Sequence, residues 1–181
     1  MMFRNYFLLL GLFLAGNVLA SDQVWLRVDT RAKVLEVVKA GHTLDSFEHI
    51  AIGRGGAGIK EHRGDGITPL GTFRISTINR HSHFRTFFGI DYPSVEIAGK
   101  ALKDGLLSRP EYNRILHAHQ RNKLPPQNTA LGGRLGIHGL GHANVKIHRE
   151  FDWTRGCIAL TNPQIDRLAR WIKPGMVVKV K

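Results

Sequence analysis

The sequence has 181 residues, a formal net charge of +12 and a single cysteine. A chain of this length forms one domain with a substantial core and is too short for two, and one cysteine excludes a framework of internal disulfides. The excess of basic residues indicates an anionic partner, but they are spread along the chain without a dense run, which disfavours nucleic acid.

The first twenty residues have the features of a secretory signal peptide. Arg4 is followed by an apolar run over residues 7–18, and small residues at Val18 and Ala20 mark a cleavage site. The run is too short to span a bilayer comfortably, and no cysteine at the cut offers a lipid anchor. We therefore expect an exported, periplasmic domain over residues 21–181 with no stable membrane anchor. Its charge suits an anionic cell envelope, and a role of the charge in solubility alone is the alternative.

Short valine-rich segments at the start of the mature chain predict β-strands. Residues 24–29 and 33–40, separated by a polar turn, predict a β-hairpin. Two further strands are predicted over residues 46–53 and 68–77, and the glycine-rich segment 53–67 between them predicts a loop too long for a tight turn. Its "GRGGAG" lacks the lysine spacing of a phosphate-binding loop, so we expect it to be a flexible loop that borders a cleft.

The composition changes in residues 94–121, where Leu, Ala, Lys, Arg and Glu replace Val and Thr, and Pro110 divides this stretch into two predicted short helices. After a proline- and glycine-rich loop we expect strands again, with one capped amphipathic helix whose buried stripe is Ile165, Leu168 and Ile172. These later elements are strands over residues 134–140, 157–161 and 176–181 and the helix over residues 161–175. The predicted fold is mainly β with inserted helices, an α+β domain.

The lone cysteine, Cys157, lies in the segment "WTRGCIALT". A buried thiol acting as a small hydrophobic residue is the simplest interpretation, but Gly156 before it allows a tight turn that would expose the sulfur at a strand edge. A thiol of ordinary pKa needs a nearby base or cation to act as a nucleophile at neutral pH. His138, which ends an apolar strand in "LGIHGLG", is the candidate among ten histidines.

These two residues belong to a wider pattern. "GDGITPLGTFRI" and "DYPS" precede "IHG", and a spacer over residues 139–153 separates the histidine of "IHG" from "TRGCIAL". In this order the chain resembles the L,D-transpeptidase catalytic domain, also called the YkuD or ErfK family, over nearly all of residues 21–181. The residues that match its nucleophile motif are Thr154, Arg155, Gly156 and Cys157. Ala159 departs from the family pattern, because many relatives carry Arg or Asn there, and this leaves the shape of the substrate pocket open.

The resemblance implies a YkuD-like β-sandwich or barrel-like fold and a cysteine acyltransferase. Cys157 would attack the carbonyl of the third residue in a peptidoglycan tetrapeptide stem, expel the terminal D-alanine and form a thioester. An amine acceptor would complete a 3-3 cross-link, whereas water would make the same site an L,D-carboxypeptidase or endopeptidase. No metal or other cofactor is implied. The acceptor, the oligomeric state and a lid role for the 94–121 insertion stay open.

The matched residues have distinct expected roles. His138 would act as general base and then as general acid, with its ring oriented by the carbonyl group of Gly139. The backbone N–H groups of Gly156 and of the cysteine would form an oxyanion hole. Arg155 would either bind a substrate carboxylate and favour the thiolate or face solvent. The hydroxyl group of Thr154 is a further candidate substrate contact.

Two functions of other classes stay open. Short His-x-His pairs, His81 with His83 and His117 with His119, suggest a zinc murein peptidase, since zinc favours imidazole, although no HExxH motif accompanies them. The other is a non-enzymatic peptidoglycan-binding module with an incidental thiol. The substitution Cys157→Ala would discriminate, because it abolishes turnover in a cysteine enzyme and leaves binding intact in a binding module.

Overall fold

The computed structural model describes residues 22–181, so the predicted signal peptide over residues 1–20 lies outside the described residues. Within that range strands predominate over helices, which confirms a mainly β fold with inserted helices. Among the helices described there, none combines the length and the apolar character that crossing a membrane requires.

One large mixed sheet organises the domain. Its strand order is β3-β2-β1-β10-β6-β7-β8-β9, and β4 and β5 form a separate small sheet. The strands are β1 Trp25–Asp29, β2 Val34–Lys39, β3 His42–Glu48, β4 Ala57–Gly58, β5 Thr68–Pro69, β6 Gly71–Ser82, β7 Arg85–Ile90, β8 Gly136–His138, β9 Ile158–Ala159 and β10 Val177–Val180. The helices are α1 Val95–Lys103, α2 Arg109–Gln120, α3 Val145–Glu150 and α4 Asn162–Leu168.

The predicted N-terminal hairpin and the closing strand meet in the middle of this sheet. β1 pairs antiparallel with β2 and parallel with β10, so the two ends of the domain are adjacent. Leu26 and Val28 are two residues apart on β1 and are fully buried. Their partners on β2, Val37 and Leu35, are also fully buried. Because apolar and polar residues alternate along the strands, one face of the hairpin packs against the core.

The two helices predicted between residues 94 and 121 are present. Ser94 and Ser108 cap their N-termini with side-chain hydrogen bonds, and Pro110 lies in the first turn of α2, where its missing N–H costs nothing. The helices pack on each other, and Ile115 of α2 is fully buried. Proline thus marks the start of the second helix rather than the gap between the two.

Other boundaries differ from the prediction. The third strand is His42–Glu48, earlier than the predicted residues 46–53, because the chain turns away at His49, whose φ is +58°. The helix predicted over residues 161–175 ends at Leu168, although Ile172 beyond it is still buried. Strand β7 and the short helix α3 were not predicted. Both lie next to the candidate site.

Candidate active site

The last two strands of the sheet bring the predicted nucleophile and base together. β8 and β9 are parallel, and Ile137 and His138 pair with Ile158 and Ala159. Cys157 immediately precedes β9, two residues before the partner of His138, so the register places both residues on the same side of the strand pair. Cys157 and His138 line one open cleft of about 540 Å³.

The ring of His138 is held in one tautomer. Its Nδ1 atom lies 2.7 Å from the carbonyl oxygen of Gly139, and because a carbonyl only accepts, Nδ1 must carry the hydrogen. This is the orienting contact expected from the sequence. The ring is 2% exposed and stacks on Phe84 with 4.2 Å between centroids, while Trp153 meets it edge-on at 6.0 Å. The Nε2 lone pair is therefore available to accept a proton.

The imidazole of His138, the candidate base, is neutral at neutral pH. Burial lowers its pKa below the usual value, the Gly139 carbonyl opposes this shift, and the nearby His148 and His83 reinforce it. Desolvation has the largest effect because a buried imidazolium loses the hydration that stabilises its charge. An unprotonated imidazole is the form that can take a proton from a thiol.

Cys157 is the only cysteine of the chain, and its thiol is half-buried and free. Burial raises the pKa of the Cys157 thiol to about 11, while a backbone contact with Gly136 and the charge of Lys60 act in the opposite direction. The sulfur lies 3.8 Å from the carbonyl oxygen of Arg134, to which the thiol donates. The thiol and the imidazole that line the cleft are thus both neutral at neutral pH.

The hydroxyl group of Thr154 bonds to the backbone of the cysteine turn and is not free for the substrate contact expected from the sequence. Its hydroxyl group donates to the carbonyl oxygen of Cys157 at 2.6 Å and accepts from the N–H of Gly156 at 3.1 Å. The residue is 4% exposed. A buried hydroxyl with both bonds directed at the backbone cannot also donate to a substrate. Thr154 therefore fixes the turn that presents the cysteine.

Gly156 is required by the internal packing of this turn. Its φ is +120°, and a Cβ atom at this position would lie 2.6 Å from the carbonyl oxygen of Ile67. Ile67 belongs to the "GDGITPLGTF" segment, so the close approach joins the two sequence motifs directly. The glycine expected to allow a tight turn before the cysteine thus also lets the backbone of Ile67 approach closely.

The predicted oxyanion hole is reduced to one backbone donor. The N–H of Gly156 is already bonded to Thr154. Within residues 22–181, no protein acceptor is found for the N–H of Cys157. This group lies at the nucleophile and is the available donor for a developing oxyanion.

The cleft wall is strongly basic. Its charged residues are Lys60, Arg63, Arg134 and Arg155, and no Asp or Glu of the described chain lines it. Lys60 is 3% exposed and forms a buried ion pair with Asp65 behind the wall. Arg155 was expected here from its place in the motif. Sequence reasoning missed Lys60, Arg63 and Arg134, because nothing in their local sequence indicates that they face the cysteine.

Several other predicted features lie away from the cleft. Ala159 is fully buried in β9, outside the cleft lining, so it does not shape the space around the sulfur. The "GRGGAG" segment supports the cysteine turn from behind, where the N–H of Arg54 donates to the carbonyl oxygen of Thr154 at 2.9 Å. Among the described residues, none of "GRGGAG" lines the cleft, contrary to the expectation, and Lys60, Arg63 and Gly64 further along the same loop form its border instead. In the described chain, no residue of the 94–121 insertion lines the cleft.

The His-x-His pairs do not converge. His81 is exposed at the end of β6, and His83 lies in the following turn against the ring of Phe84 at 4.3 Å. His117 and His119 lie on helix α2, where residues two apart face different directions. Across residues 22–181, no group of three His, Cys, Asp or Glu side chains is arranged to hold a metal ion.

Comparisons with known proteins agree with this geometry. The family model of the YkuD L,D-transpeptidase catalytic domain matches residues 23–180. Among solved structures, the chain is similar to the helical cell shape determining protein Pgp2 from Campylobacter jejuni, with 20% identity and a TM-score of 0.59 over 87% of this chain and 47% of that one. It is also similar to Bd1075 from Bdellovibrio bacteriovorus, with 17% identity and a TM-score of 0.52 over 89% of this chain and 47% of that one.

These structures show a shared fold, and the chain spans about half the length of each of them. No curated protein matches the sequence. The match to the family model covers nearly all of the described residues, including the candidate base on β8 and the candidate nucleophile just before β9. The chain therefore belongs to the YkuD family of L,D-transpeptidase catalytic domains.

Proposed function

We propose that the protein is an exported L,D-transpeptidase that acts on peptidoglycan tetrapeptide stems through a thioester on Cys157. The observation that carries the proposal is the arrangement of Cys157 and His138 in one cleft, with His138 Nδ1 bonded to Gly139 so that Nε2 is free. The family supplies the substrate class, and the basic cleft wall suits an anionic peptide.

Acylation begins with transfer of the thiol proton to Nε2 of His138 as sulfur attacks the carbonyl carbon of the third stem residue. The oxygen of the tetrahedral intermediate accepts a hydrogen bond from the N–H of Cys157. When the C–N bond breaks, His138 returns its proton to the leaving nitrogen of D-alanine. The products of this half-reaction are the thioester and a free amino acid.

Deacylation uses His138 again, first to accept a proton from the attacking group and then to donate it to the leaving group. His138 takes a proton from the incoming amine, and the nitrogen attacks the thioester carbon. The C–S bond then breaks, and His138 gives this proton to the leaving sulfur, which restores the thiol and the neutral imidazole. An acceptor amine from a second stem gives a 3-3 cross-link. Water in the same position gives hydrolysis, so the acceptor alone distinguishes the transpeptidase from an L,D-carboxypeptidase or endopeptidase.

The test is to incubate residues 21–181 with disaccharide-tetrapeptide, with and without an amine acceptor, and to follow the products by mass spectrometry. Loss of D-alanine with formation of a cross-linked dimer, abolished by Cys157→Ala and by His138→Gln, is the expected result. Tripeptide alone would assign the hydrolytic function. Turnover that survives Cys157→Ala but stops in EDTA would contradict the cysteine mechanism, and binding without turnover would indicate a binding module.

Export is part of the proposal and is tested separately. Residues 1–20 carry the charge, the apolar run and the small-residue cut of a signal peptide. We expect the protein in the periplasmic fraction, with a mature N-terminus at Ser21. A protein found in the cytoplasmic fraction with residues 1–20 still attached would contradict this localisation. The likeness to a protein that determines helical cell shape supports a wall-modifying role.

A further inference from the structure

The charge of the cleft wall is not balanced by the protein. Lys60 is neutralised by Asp65, and Arg63 donates to the carbonyl oxygen of Thr129 at 3.0 Å. Arg134 and Arg155 are exposed, and within residues 22–181 neither guanidinium takes part in an ion pair. Two guanidinium groups in a cleft without carboxylates form a site for an anion.

Arg134 is anchored directly beside the nucleophile. Its carbonyl oxygen accepts from the thiol of Cys157, and its N–H donates to Oε1 of Gln127 at 2.6 Å. The backbone has a φ of +57°, and a Cβ atom on the preceding Gly133 would lie 2.4 Å from the carbonyl oxygen of Gln127. This peptide has little freedom to move. The side chain of Arg134 therefore starts from a fixed point next to the sulfur.

Arg155 starts from the other flank of the nucleophile. It lies between Thr154, whose hydroxyl group is bonded to the turn, and Gly156, whose conformation is fixed by contact with Ile67. It is the residue of the turn whose side chain faces outward, and it lines the cleft. The two arginines thus approach the sulfur from two different segments.

The geometry of a C-terminal residue places its carboxylate in the cleft that both arginines line. In an amide that links the attacked carbonyl to a terminal amino acid, the carboxylate carbon lies about 2.5 Å from the leaving nitrogen. A group that binds this carboxylate must start within one side-chain length of the nucleophile, and Arg134 and Arg155 both do.

We propose that Arg134 and Arg155 form a carboxylate clamp that makes the enzyme specific for donors whose scissile amide is followed by a free terminal carboxylate. The proposal deepens the proposed function and rests on it for the identity of the donor. The carboxylate leaves with the expelled amino acid, so the clamp acts in acylation and is vacant in the thioester. Its loss raises the KM of the donor more than it lowers kcat.

The first test compares a tetrapeptide donor with its C-terminal carboxamide. We expect wild type to prefer the free acid, and Arg134→Gln or Arg155→Gln to reduce that preference about 10-fold or more, the cost of a lost charge-assisted hydrogen bond. Arg134→Lys should restore part of it. The matched control is Arg121→Gln, which removes the same charge from an exposed residue outside the cleft and should keep the full preference.

The second test needs no turnover. Iodoacetate and iodoacetamide both alkylate the single cysteine, and only the former carries a carboxylate next to its reactive carbon. Relative to N-acetylcysteine, the clamp should raise the iodoacetate to iodoacetamide rate ratio at Cys157, and both glutamine variants should lower it. An unchanged ratio together with equal use of acid and amide donors would overturn the clamp while leaving the proposed function intact. A raised ratio without any tetrapeptide turnover would overturn the proposed function while leaving the clamp.

Discussion

Alkylation of Cys157 across a range of pH tests whether the resting site is neutral. Burial raises the pKa of its thiol to about 11, whereas an ordinary cysteine thiol has a pKa of about 8.5. At pH 7 the thiolate fraction is then about one in ten thousand, compared with roughly three in one hundred for an ordinary thiol. Because the thiolate is the reacting species, Cys157 should react with iodoacetamide about 300-fold more slowly than N-acetylcysteine at pH 7.

The assay is direct because the chain has one cysteine. The rate of carbamidomethylation is followed by intact-protein mass spectrometry from pH 6 to pH 10.5, with Cys157→Ala as the blank. We expect the rate to keep rising through pH 9 and 10, since the pKa of the folded site lies above the ordinary value. A profile that levels off below pH 7 would show a preformed thiolate paired with an imidazolium, and would refute the neutral resting state.

Three further predictions concern the surroundings of this thiol. Thr154→Val should lower the free energy of unfolding by about 1–3 kcal/mol, because it leaves buried backbone groups unpaired. In urea titrations Thr154→Ser should keep most of the wild-type stability. A Val variant as stable as wild type would contradict the role of the hydroxyl group. Gly156→Ala should cost about 2 kcal/mol or more, since the new methyl meets the Ile67 carbonyl at 2.6 Å and φ is positive; a thermal melt matching wild type would contradict this. His148 is 3% exposed, burial lowers its pKa, and its Nδ1 accepts from Trp153 at 3.4 Å. Protonation below pH 6.5 should break this bond and change Trp153 fluorescence in a variant lacking the other two tryptophans, and His148→Gln should remove the transition; its persistence would assign it to another group.

The candidate nucleophile and base could be predicted from the sequence because the residues that mark them are close together in the chain. Cys157 and His138 stand in short motifs, and a lone cysteine has few alternatives. The carbonyl of Gly139 follows His138 directly in the chain, so its orienting contact was also predictable. The N-terminal hairpin was predictable for the same reason, since alternation along β1 and β2 reports one buried face.

Features that depend on tertiary contacts were not predictable. The end of strand β7 is buried on both faces, because the consecutive residues Phe88, Gly89 and Ile90 are all buried, so the strand shows no simple alternation. Helix α3 has six residues, fewer than a helix needs to be stable alone, and its sequence signal is correspondingly weak. The Lys60–Asp65 ion pair exists only because the loop folds back on itself, and no spacing rule indicates it.

A basic cleft and a neutral thiol are compatible once the position of each charge is considered. Cations near a thiol favour the thiolate, but Lys60 is paired with Asp65, and the exposed guanidinium groups of the cleft are screened by water. Burial therefore determines the protonation state of the sulfur. An anionic donor bound to those guanidinium groups would compensate their charge and displace water, which disfavours a free thiolate further. In the proposed mechanism, attack then proceeds with proton transfer to His138, which requires the free Nε2 atom. The same neutrality would protect the sulfur in the oxidising compartment that the proposed export implies, because oxidants react with the thiolate.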